Sequence, residues 1–100
     1  MTPVLPRGTE NPFTFAARCN NFNAVRYFVE NGYFDIDCVD KEKNTALLSA
    51  VKYRSEERTE MVELLLELGA NVDMTDDQGK TAYDYAVENG YAEIAERIKP

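Results

Sequence analysis

Residues 50–69, AVKYRSEERTEMVELLLELG, are one of three stretches in this 100-residue chain that carry nearly the same pattern. Residues 16–32 read AARCNNFNAVRYFVENG, and residues 86–100 read AVENGYAEIAERIKP. Each opens on an alanine (Ala16, Ala50 or Ala86) and runs on to an apolar pair, Ala24-Val25, Met61-Val62 or Ile94-Ala95. A second apolar step follows at Phe28-Val29, Leu65-Leu66 and Ile98, so one helix face recurs three times. The alanines lie 34 and 36 residues apart. Removing a one-residue insertion near Phe34 and a three-residue insertion within residues 54–58 brings both intervals to about 33. A unit of that length cannot bury its apolar face alone and has to stack on its neighbours.

Composition is consistent with one small domain, since 44% of the residues are hydrophobic. The opening, MTPVLPRGTENP, has no charged start followed by an apolar run, so it reads as a short flexible tail over residues 1–10 rather than a signal peptide. No stretch approaches the roughly 18 apolar residues of a membrane span. The net charge of −7 is uneven: residues 1–59 carry eight acidic and eight basic side chains, whereas residues 60–100 carry ten and three. That balance argues against nucleic acid, which needs clustered Lys and Arg, and leaves room for a basic protein partner. Glu60, Glu63, Glu67, Glu93 and Glu96 also have a plainer use, keeping exposed helix faces soluble.

Local signals place the helix ends. Thr45 and Thr59 each precede an apolar run and can supply the hydroxyl that a helix N-terminus lacks. Gly69 is a stop signal, repeated at Gly32 and Gly90, because glycine takes the left-handed C-cap conformation without steric cost. Residues 35–37 (DID) and 71–73 (NVD) put one β-branched side chain between polar neighbours, as a short turn arm requires.

Catalytic chemistry has little to draw on. The chain has no His, so Cys19, Cys38, Ser49 and Ser55 lack the usual activating base, and the five glycines are scattered rather than gathered into a phosphate loop. The carboxylates of residues 73–79 and 35–42 lack the alternating spacing of an EF-hand and suit turn formation instead. No cofactor or metal is expected. Cys19 and Cys38 read as free thiols, although a disulfide between them is open on paper. Among the aromatics Tyr27, Phe28, Tyr33 and Phe34, Phe28 falls at a core spacing, and one of Tyr33 and Phe34 is expected to be exposed.

Residues 76–86, DDQGKTAYDYA, closely resemble the turn and first helix of an ankyrin repeat, and residues 69–73, GANVD, resemble the loop after the second helix. Residues 40–50, DKEKNTALLSA, are the same element with Lys43 where the family prefers Gly, and residues 11–17, NPFTFAA, are a degraded first copy. A period near 33 agrees with that resemblance. It implies an all-α solenoid of helix-turn-helix units joined by short β-hairpin-like loops. The repeats would span about 11–39, 40–75 and 76–100, reading as N-terminal cap, internal repeat and C-terminal cap.

The resemblance further implies a cytoplasmic, non-catalytic module that binds another protein in the concave groove made by loop tips and first-helix faces. Carried over residue by residue, that surface comprises Arg18 and Cys19, Lys41, Glu42 and Asn44, Lys52 and Tyr53, Asp77, Gln78 and Lys80, and Glu88 and Asn89. Tyr53, flanked by Lys52 and Arg54, is the strongest single candidate. Charge along the groove is expected to grade from basic (Arg18, Lys41, Lys43, Lys52, Arg54) to acidic (Asp77, Asp84, Glu88). The RSEER insertion, residues 54–58, lies either near the binding face or is plain surface elaboration. A rival reading is an inhibitor whose acidic C-terminal repeat masks a basic enzyme. A monomer is expected, with room for a weak dimer, and a piece of a longer chain is the third alternative.

Overall fold

The computed structural model describes residues 11–52 and 59–99. The tail at 1–10, Tyr53 and the insertion at 54–58 lie outside the described residues. Six short helices follow in order: α1 (Pro12–Arg18), α2 (Phe22–Glu30), α3 (Ala46–Lys52), α4 (Thr59–Glu67), α5 (Ala82–Asn89) and α6 (Ala92–Ile98). No strand is assigned among the described residues, so the connecting arms are turns. The inner helices α1, α3 and α5 pack side by side, each carries its own outer helix (α2, α4 or α6), and α4 and α6 pack more closely than α2 and α4. The result is elongated, 42 × 25 × 22 Å, as a stack of hairpins should be. No described helix is long and apolar enough to cross a membrane.

Side-chain oxygens cap the starts of α1, α2, α3 and α5, whereas α6 follows Tyr91 without a side-chain cap. The Asn11 carboxamide accepts the Phe13 N–H at 2.8 Å with Pro12 in the first turn, and Asn21 accepts the Ala24 N–H at 3.1 Å. Thr45 caps α3 by accepting from Leu48 N at 3.2 Å. Thr81 and Asp84 form a reciprocal capping box on α5, with Asp in place of the usual Glu. Thr59 is the first residue of α4 rather than the residue before it. Gly32, Gly69 and Gly90 all take positive φ just after a helix, as their spacing foretold.

The recurrent alanine is what lets the inner layer close. Ala16, Ala50 and Ala86 are 7%, 0% and 0% exposed, and a larger side chain there would push adjacent repeats apart. Phe13, Leu47, Leu48, Val51, Met61, Val62, Leu65, Ile94 and Ile98 are the large buried side chains of the one core that the layers share. At the first repeat the core is aromatic: Phe34 turns inward, stacks on Phe13 at 5.9 Å and meets the edge of Phe28 at 5.1 Å. Phe28 is half-buried, and the exposed member of the pair after Gly32 is Tyr33.

The turns repeat at atomic detail. Asp40 Oδ1 accepts from the N–H groups of Glu42 and Asn44, both at 2.9 Å, and Asp76 Oδ1 accepts from Gln78 at 2.9 Å and Lys80 at 3.1 Å. In each turn the fourth residue is left-handed, Lys43 with φ 65° and Gly79 with φ 77°. A lysine pays a steric cost there that a glycine does not, of roughly 1–2 kcal/mol, partly offset by glycine's larger loss of chain entropy. Lys43→Gly should therefore raise folding stability by about 0.5–1 kcal/mol, and Gly79→Lys should lower it by a similar amount. Both shifts are readable in denaturant midpoints at unchanged m-value.

Candidate functional site

Two turn tips, residues 40–44 and 76–80, sit beside each other because the Asp77 N–H donates to the Glu42 carbonyl at 3.1 Å. One turn further back, the Asn71 N–H donates to Asp37 Oδ1 at 2.8 Å, a second link between successive loops. Lys41, Glu42, Asp77 and Gln78 are exposed on the joined tips. Arg18, half-buried, lays its guanidinium 5.5 Å from the Phe15 ring, and Cys19 beside it is exposed.

Asn44 and Lys52 do not belong to an open binding surface. Asn44 is 0% exposed: its N–H and Nδ2 bond the two oxygens of Asp40, and its Oδ1 accepts from Lys52 Nζ at 3.1 Å. The Lys52 ammonium lies 2.8 Å from Asp76 Oδ2, with side-chain exposures of 13% for Lys52 and 0% for Asp76. Asp76 Oδ2 also accepts the Tyr85 hydroxyl, and the Tyr85 ring carries Lys52 Nζ at 5.2 Å and Lys80 Nζ at 5.3 Å from its centroid. Lys80 in turn pairs with Glu88 at 2.9 Å, and Asn89 Nδ2 donates to the Val51 carbonyl at 3.3 Å.

This chain of contacts carries polar groups from the second repeat into the third. It also blunts the expected charge gradient, since Lys52 is matched by Asp76 and Glu88 by Lys80; Arg54 lies outside the described residues. Of its centre, Asp76 was read from sequence as part of the turn tip, and Tyr85 was not among the candidates. The Asp40/Asp76 recurrence was a visible signal of the turn, but nothing in the spacing shows that a lysine 24 residues before Asp76 reaches it.

Residues 16–99 match the family described as ankyrin repeats (3 copies). The chain belongs to the ankyrin-repeat family. A similar solved structure is that of EF0377, described as an ankyrin repeat protein, with 37% identity and a TM-score of 0.81. The match covers 86% of this chain and 44% of EF0377, so this chain spans less than half the length of that relative. Ankyrin repeats are in general protein-interaction modules without catalytic activity. In this ankyrin-repeat protein the junction of the second and third repeats holds a carboxylate displaced from its ordinary titration.

That carboxylate is Asp76. Burial by itself would push its carboxyl up, but the Lys52 ammonium, the Tyr85 hydroxyl and the N–H groups of Lys80 and Gln78 outweigh it and hold the carboxyl well below the usual carboxylate range. Tyr85 moves the other way, raised by burial and by donating to Asp76. Lys80 is raised by its bond to Glu88. Because the folded-state pKa of Asp76 is depressed, its contribution to stability is fully present above the unfolded value of roughly 3.9 and is lost as pH falls below it. Asp76→Ala leaves Lys52 without its buried counter-ion and should cost about 3 kcal/mol at neutral pH. The cost should shrink as the pH is lowered through 4, which paired urea titrations of both proteins would measure.

Proposed function

We propose that this ankyrin-repeat protein binds a partner protein through the joined turn tips and the adjoining ends of the inner helices. The observation that carries the reading is the Asp77-to-Glu42 backbone bond, which aligns two exposed tips as one surface. Lys41, Glu42, Asp77 and Gln78, all exposed, form its centre, and Arg18 and Cys19 at the end of α1 and Lys80, Glu88 and Asn89 belong to it by their places in the repeat. The fixed backbone beneath these polar side chains lowers the ordering cost of binding. Tyr53 belongs to this proposal by its place in the repeat. Two thiols suit a reducing compartment, and the cytoplasm is the proposed location. An inhibitor of a basic enzyme is the second reading, favoured by the ten acidic and three basic residues of 60–100.

Lys52 is unsuitable for testing the surface, because its replacement would break the Asp76 pair and loosen the fold. Lys41→Glu combined with Gln78→Ala leaves that pair intact. Capture from native lysate followed by mass spectrometry should yield a partner with the parent protein and lose it with the double variant, provided circular dichroism shows equal folding. A partner retained equally by both would sink the tip assignment. A partner of high pI whose binding falls steeply with salt would favour the inhibitor reading.

A further inference from the structure

The outer layer carries a second surface that the turn tips do not touch. Between α2 and α4 the helices leave an open groove of about 670 Å³. Phe22, Leu64 and Leu66 give its apolar lining, Glu60, Glu63 and Glu67 supply its acidic groups, and Arg26 and Arg97 its basic ones. Those three carboxylates sit three and four residues apart, which puts them on one face of α4. Glu63 is occupied, 2.7 Å from Arg97, and Arg26 at the opposite wall is satisfied by Glu30 at 3.7 Å. Glu60 and Glu67 are exposed and form no ion pair among the described residues, and α4 contains no cation that could neutralise them.

We propose that this groove docks an amphipathic helix of a basic protein, independently of the tip surface. The fit is one of charge and spacing. Glu60 and Glu67 are two helical turns apart, about 10.5 Å along α4, which is the separation of two Lys or Arg side chains seven residues apart on a helix lying alongside. Apolar side chains on the same face of that helix would cover Phe22, Leu64 and Leu66, the helix-in-groove mode of recognition. Glu60 also lies in the first turn of α4, where its charge favours the helix N-terminus, but with no ion-pair partner among the described residues both carboxylates can steer and orient such a partner.

The probe is a synthetic leucine–lysine amphipathic helix with lysines at seven-residue spacing, titrated into the full ¹⁵N-labelled chain. Its counterpart has glutamate for every lysine. Amide shifts should concentrate in residues 59–67 and at Phe22 and Arg26, with no response to the glutamate peptide. Glu60→Lys/Glu67→Lys should weaken binding about tenfold. Asp73→Lys/Glu96→Lys, with the same net charge but outside the groove, should change it no more than about twofold. Equal loss in the two double variants would mean attraction to net charge alone and would overturn the proposal. Absence of binding, shifts confined to residues 40–44 and 76–80, or equal binding of the glutamate peptide would also overturn it. Groove shifts on simple concentration of the chain would assign the surface to a second copy instead.

Discussion

A lysine ammonium 2.8 Å from a carboxylate with no solvent exposure holds the second and third repeats together. The pair tolerates burial because every lone pair of Asp76 is used: one oxygen takes two turn N–H groups, the other takes Lys52 and the Tyr85 hydroxyl. The turn at 76–80 takes its shape from the Oδ1 bonds, as the turn at 40–44 does from Asp40, while Lys52 and Tyr85 tie it to α3 and α5 through Oδ2.

Apolar burial does the bulk work around that pair. The alanines bring the inner helices together, the leucines and isoleucines belong to the one core that the layers share, and the Phe13–Phe28–Phe34 cluster replaces aliphatic packing in the first repeat. The third repeat differs from the second where it faces away from the stack. Leu48 and Val51 are buried, whereas the corresponding Asp84 and Val87 are exposed, and Asp84 spends its carboxylate on the α5 cap. One side of the inner layer is thus continuous core up to α5 and polar beyond it.

Two faces remain for recognition, and they differ in chemistry. The tip surface is polar, mixed in charge and braced from beneath by hydrogen bonds. The groove between α2 and α4 joins apolar lining with the carboxylates of α4, of which Glu63 is paired with Arg97. A solenoid separates such surfaces naturally, since inner and outer helices never exchange places along the stack.

The repeat period, the stop glycines, the alanine positions and the Asp-led turns were legible in the sequence because each depends on a residue and its near neighbours. Left-handed φ selects Gly79 and taxes Lys43, and a 3.6-residue periodicity selects the buried face whatever the rest of the chain does. Tertiary structure alone decided which charges are spent. Lys52, Asn44 and Glu88 read from sequence as surface groups like Lys41 and Gln78, yet Asn44 is buried, Lys52 nearly so, and Glu88 is paired. Whether a charge is available to a partner depends on what lies within about 4 Å of it, and the stacking that brings Asp76 to Lys52 operates between residues that local sequence does not connect.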